Sequence, residues 1–150
     1  MSDRSAGGAV AFKALAFAWA AFAASGLFFW LQSKAGVGGP AFAVLTRCVL
    51  AYSAWRVGKG IDEGTIGEPR PLAAIHVGAA LLIAWLGIAA SASPGSTVGF
   101  LSIKALYSRD PNAFLPELRQ RRIAEPVALL GIVLIFVMAL IATIRSRPRS

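Results

Sequence analysis

The stretch VALLGIVLIFVMALIATI, Val127 to Ile144, holds no charged residue and only one hydroxyl, that of Thr143. At 1.5 Å per residue this run forms a helix about 27 Å long, close to the ~30 Å hydrocarbon core of a bilayer. Pro126 precedes it and suits a first helical turn, where no backbone donor is needed. Arg145, Arg147 and Arg149 follow it as a basic flank. The run therefore reads as a transmembrane helix, and it sets the fold class expected for the whole chain, an all-α integral membrane protein.

Three further apolar runs lie upstream. Ala9 to Leu31 alternates alanines with Phe12, Phe17, Trp19, Phe22, Phe28, Phe29 and Trp30, and Lys13 near its start can extend its amine to the headgroups. Pro40 to Val57 contains Arg47. Leu72 to Ala92 is opened by Pro69-Arg70-Pro71 and closed by Ser93-Pro94-Gly95. Together the spans 9–31, 40–57, 72–92 and 127–144 predict one membrane domain over 1–150, a bundle of four transmembrane helices. Two rival parsings exist. Arg4, Lys13, an apolar core from Ala14 and the small residues Ala23, Ala24 and Ser25 also fit a secretory leader. The apolar run continues through Leu27 to Leu31, however, which favours a retained span. The second rival drops 40–57, because a central arginine costs about 2.5–3.5 kcal/mol on insertion. Phe42, Val44, Leu45, Val49, Leu50, Trp55 and Val57 each return a few tenths, so the segment is expected to insert as part of a hairpin with its neighbours.

Composition agrees. Of the 150 residues 57% are hydrophobic and 15% charged, with a mean hydropathy of +0.66. Soluble domains carry about 25% charged residues, and disordered chains combine low hydrophobicity with high charge, so both classes are excluded. The net charge is +8, from 15 Lys+Arg and 7 Asp+Glu. No helix-turn-helix, RNA-recognition or zinc-finger pattern accompanies it, and nucleic acid is not an expected partner. The basic residues read instead as membrane flanks that meet anionic lipid headgroups. Cys48 is the single cysteine, so neither an intramolecular disulfide nor a CxxC pair exists; within an apolar run it reads as an inert, buried thiol.

Arginine outnumbers lysine and Ala and Gly abound, which suggests a bacterial source and an inner (cytoplasmic) membrane. Arg4, Lys13, Arg56, Lys59, Arg70, Arg145, Arg147 and Arg149 fall on one side of a four-span layout. Lys34, Lys104, Arg109, Arg119, Arg121 and Arg122 fall on the other. The excess favours both termini in the cytoplasm.

The connection 93–125 is long for a link between spans and is expected to carry structure of its own. Val98 to Tyr107 is apolar but too short to cross, and reads as an interfacial or re-entrant helix. Ser108-Arg109-Asp110-Pro111-Asn112 reads as a turn, and Pro116 to Ile123 as a short helix with Glu117 and Arg121 four apart. The 58–71 loop, rich in Gly and Pro and carrying Asp62, Glu63 and Glu68, reads as a flexible surface turn with solvated acids.

Arg47 and His76 are the candidate site residues. The helical face of Arg47 holds Ala43, Ala51, Ala54 and Gly58, and small residues at that spacing let a neighbouring helix approach. An ionisable group at membrane depth is a functional-site hypothesis by default. No span contains Asp or Glu, so Arg47 is expected to meet carbonyls, a lipid phosphate or a partner subunit's carboxylate. His76, the only histidine, shares a face with Ala73, Ala80, Ala84, Gly87 and Ser91. It could pack with a hydrogen bond, relay protons, or bind a cofactor as one axial ligand of a haem shared between subunits or of a pentacoordinate haem. In an antiparallel hairpin the two residues lie within about two helical turns axially, so a polar cluster of Arg47 and His76 is geometrically allowed. Arg119, Arg121 and Arg122 form a third candidate, a juxtamembrane cluster for lipid headgroups or a partner.

Enzyme motifs are missing. Gly58-Lys59-Gly60 lacks the spacing and the hydroxyl of a phosphate-binding loop, and no HExxH, GxSxG or EF-hand pattern occurs. The chain is therefore expected to be no enzyme and to need neither cofactor nor metal. The expected role is an accessory, scaffold or assembly subunit of a larger membrane complex, with lipid and other subunits, or further copies of itself, as partners. The alternatives are a small channel or transporter with an anion or proton path lined by Arg47 and His76, and a redox or cofactor-anchoring subunit.

Overall fold

The computed structural model describes residues 3–32, 38–92 and 115–146. Among these the chain is all-helical, with α1 (Asp3–Gln32), α2 (Gly38–Asp62), α3 (Arg70–Ala92) and α4 (Leu115–Arg145) and no strand. Each helix contains one of the apolar runs. Long stretches without internal breakers leave the backbone no cheaper way to satisfy its hydrogen bonds away from water.

The helices run antiparallel in sequence. Lys13 of α1 pairs with Asp62 at the far end of α2, and Gly7 and Gly8 lie beside Arg145 and Ser146 at the end of α4. The start of α1, the α2–α3 turn and the end of α4 thus share one end of the molecule. α1 is the shared element: it packs on α2 and on α4, and α3 packs on α4. Its inner face is marked by Ala9, Phe12, Leu15, Ala16, Trp19, Phe22 and Ala23, all buried at steps of three and four. Phe17 and Phe28, out of that phase, are exposed. Ile132, Ile135, Ala139 and Ala142 supply the facing stripe of α4. Gly58 brings α2 close to α1, since a Cβ there would stand 3.1 Å from the carbonyl oxygen of Ala9.

Within the 58–71 segment, expected as a flexible surface turn, the end of α2 is closed by a helix cap. Gly64 takes φ 71°, its N–H donates to the Ile61 carbonyl at 3.2 Å, and the Thr65 N–H donates to the Gly60 carbonyl at 2.9 Å. This pair of bonds is the Schellman closure, which uses carbonyls the helix end leaves free. The Ile66 side chain folds over Gly60, where a Cβ would meet it at 2.6 Å. Asp62 and Glu63 are exposed as expected, but both are paired, with Lys13 and with Lys59 respectively.

Two differences from expectation concern α4. It starts at Leu115, so the short helix over 116–123 and the span are one continuous element. Pro126 then sits inside the helix and not in its first turn. It withholds one donor, the bond to the carbonyl of Arg122, and a long helix tolerates a single such loss. The expected interfacial helix over 98–107 and the turn over 108–112 lie outside the described residues.

Among the described residues two helices are long and apolar enough to cross a membrane, α1 over Ala6–Phe29 and α4 over Pro126–Arg145, which suggests membrane insertion. α3 is apolar over the shorter piece Arg70–Leu86, and α2 is interrupted by Arg47, Arg56 and Lys59. Exposure has the same sense on all four helices. Phe42, Leu45, Val49, Tyr52 and Trp55 form an outward apolar stripe on α2, and Ile75, Leu81, Leu82 and Trp85 do so on α3.

Candidate functional site

Arg47 lies on the inner side of α2, facing α1. Its Cα–Cβ bond leans toward the start of its helix, while carbonyls of α1 point toward the end of theirs. In an antiparallel pair these directions coincide, and Nη1 of Arg47 donates to the backbone carbonyl of Phe22 at 3.4 Å. The bond is long, and a second donor, the Ser25 hydroxyl, reaches the same carbonyl at 2.9 Å. The guanidinium carbon stands 4.0 Å from the centroid of the Phe22 ring, a cation–π contact. Gly26, one turn further on α1, makes the room: any Cβ there would run into the guanidinium. Arg47 is half-buried, and one of the five N–H donors of its fork has a partner among the described residues. No carboxylate there pairs with it, since Asp62 and Glu63 are engaged at the opposite end.

His76 is enclosed. It is 1% exposed, and its Nε2 lies 3.2 Å from the Ser53 hydroxyl of α2. The Phe12 ring meets it edge-on at 6.2 Å and the Trp19 ring lies 6.4 Å away. Ala73 and Ala80 on its own face are buried, so the small-residue stripe serves packing within this chain. Its Nδ1 and the nearby Trp19 Nε1 are buried without a hydrogen-bond partner among the described residues. A porphyrin brought to either nitrogen would have to displace Ser53 or the aromatic rings, so the residues present do not fit a haem. Among the described residues no group of three metal-ligating side chains occurs.

The two candidates are not brought together. Ser53, the partner of His76, is six residues from Arg47, about 9 Å along α2. α2 and α3 meet at this hydrogen bond but do not pack closely along their lengths. The polar cluster allowed by sequence geometry is thus two separate contacts, Arg47 to α1 and His76 to Ser53. Arg119, Arg121 and Arg122 have helical backbone in the first turns of α4, while their side chains lie outside the described residues.

The sequence reading passed over Phe22, Gly26 and Ser53. The phase of the buried α1 residues was the available signal, because Phe22 falls on the inner stripe and Gly26 lies one turn beyond it. Gly131 of α4 belongs to the same junction: a Cβ there would come within 2.8 Å of the Phe22 ring. Compared with protein-family models, with curated proteins and with solved structures, the chain finds no match in any of the three.

Proposed function

We propose that the chain is a four-span membrane subunit acting as an accessory, scaffold or assembly component of a larger membrane complex. The observation that carries this reading is an inverted distribution of polarity. Large apolar side chains cover the outside of all four helices, whereas Arg47, His76, Ser53 and Ser25 turn inward. Water would penalise such a surface, and lipid or neighbouring helices would welcome it. α2 fits the same pattern in its middle, where Arg47 sits on the protected side, while Arg56 and Lys59 are exposed toward its end.

The subunit role rests on Arg47, whose charge finds no carboxylate among the described residues. A conducting path lined jointly by Arg47 and His76 has less support, because His76 is sealed and the two make separate contacts. An inner membrane setting with both termini in the cytoplasm follows from the arginine-rich composition and the basic excess at the shared end. Native mass spectrometry of particles extracted in nanodiscs from the source membrane tests the reading. The expected result is an assembly containing a second kind of subunit, and a strictly monomeric, partner-free particle overturns it.

A further inference from the structure

We infer that Trp19 and His76 form a binding site for one internal water molecule, which joins α1 to α3 and completes a hydrogen-bonded chain that ends at Ser53 of α2. Nε1 of Trp19 and Nδ1 of His76 are both buried, and neither has a hydrogen-bond partner among the described residues. They belong to neighbouring rings, whose centroids are 6.4 Å apart and whose planes are tilted by 45°. Trp19 is fully enclosed and His76 is 1% exposed, so bulk water reaches neither atom. Unpaired buried donors and acceptors are rare in folded proteins. Two of them on adjacent rings call for one shared occupant. The site is internal to the chain, so it stands independently of any partner subunit.

The chemistry of the occupant follows from the two atoms. An indole N–H only donates, so its partner must accept, while a neutral imidazole offers one donor and one acceptor. A direct bond would bring the nitrogens to about 3 Å, and no such bond forms between them. Two bonds of about 2.9 Å, bent at an intervening oxygen, span about 5 Å, a separation that rings 6.4 Å apart allow. Water accepts and donates at a single oxygen, and buried waters are held by two to four such bonds. A larger ligand would have to displace the Phe12 ring, which stands edge-on to the imidazole at 6.2 Å, or the Phe22 ring beside the indole. The direction of the chain is then fixed. Trp19 Nε1–H donates to the water and the water donates to Nδ1. His76 is thereby the Nε2–H tautomer, with its proton on the side of the Ser53 hydroxyl oxygen at 3.2 Å.

The test is nuclear magnetic resonance on the full-length, isotope-labelled chain in nanodiscs. The chain has four tryptophans, and the indole signal missing from Trp19→Phe is that of Trp19. The expected result is a dipolar cross-peak between this indole proton and water, with the sign of a long-lived bound molecule and with no counterpart at the exposed Trp55 and Trp85. The imidazole nitrogens should show a proton on Nε2 and none on Nδ1. His76→Phe keeps a ring in place without the nitrogen and should lose the cross-peak. His76→Asn restores a polar atom near the place of Nδ1 and should retain it. Ser53→Ala should retain it too, which shows that the signal is not relayed by the serine hydroxyl. Unmoved signals of the other three indoles, with helix content by circular dichroism, confirm that the variants fold. A wild-type Trp19 proton without the water cross-peak overturns the inference, as does a cross-peak unchanged in His76→Phe. A scalar coupling between Nε1 and Nδ1 would establish a direct bond and overturn it, and so would a contact from the indole proton to another polar side chain in place of water. A proton on Nδ1 would overturn the chain to Ser53.

Discussion

The ring of Phe22 rests on Gly131, so that a single added Cβ at 131 would stand 2.8 Å from it. The same ring carries the guanidinium of Arg47. One side chain of α1 therefore joins α4 to the charged residue of α2. Gly131→Ala should displace the ring or part the helices, and overpacking of this kind costs about 1–3 kcal/mol. Gly78 of α3 has open space around it, so Gly78→Ala should be neutral or raise stability by up to about 1 kcal/mol. Thermal unfolding of both variants in detergent checks the contrast.

Gly26 tests the Arg47 contact from the other side. The atom a new Cβ would meet is the end of a long side chain, so Gly26→Ala should dislodge the guanidinium and leave the helices in place. The expected loss is about 1 kcal/mol, the worth of the hydrogen bond given up. In an Arg47→Met background the same substitution should cost nearly nothing. A double-mutant cycle measures the difference, and additive costs would show that the two residues do not interact.

Ser53 and His76 predict an asymmetry. Ser53→Ala leaves the Nε2 nitrogen buried without its partner and should cost about 1–3 kcal/mol. The double variant Ser53→Ala/His76→Leu removes the stranded group as well and should be the more stable of the two. Denaturant unfolding read by Trp19, which packs beside the imidazole, reports both.

The cap at the end of α2 is a backbone requirement. Nothing lies within 4 Å of a Cβ placed on Gly64, but its φ of 71° disfavours any L side chain. Gly64→Ala should cost about 1–2 kcal/mol and Gly64→Asn clearly less, because asparagine tolerates the left-handed region. Melting temperatures of the two variants decide it.

Cys48 neighbours Arg47 in sequence yet is exposed on α2. If that exposure is to lipid, a charged maleimide should leave it unmodified in sealed and in opened vesicles and label it only after denaturation. A charged reagent does not enter the hydrocarbon, so a thiol facing lipid stays out of its reach. Rapid labelling in either vesicle preparation would place this part of α2 in water.

Helix positions were readable from the chain because apolar length dominates everything local. The run 9–31 lies within α1, 40–57 within α2, 72–92 within α3 and 127–144 within α4. The small residues beside Arg47 and His76 were readable as packing positions, and Ala54, Gly58, Ala73 and Ala80 are buried. What Arg47 touches was not readable. In α1 the aromatic residues are chemically alike, and only their helical phase separates buried Phe22 from exposed Phe17. Whether Arg47 and His76 meet depends on the rotation and splay of α2 against α3, which no local pattern encodes. Pro126 misled because proline favours a first turn in isolation, while α4 carries it eleven residues in.

The central place of α1 bears on the order in which the chain assembles. α2 can dock as soon as it emerges, since its main packing partner is already made. α3 cannot, because the helix it packs on is the last to be synthesised. The contacts of α3 with the earlier helices include His76, with Ser53 and the rings of Phe12 and Trp19 around it. A chain truncated before α4 would therefore be expected to retain the α1–α2 pair while leaving α3 without its principal seat.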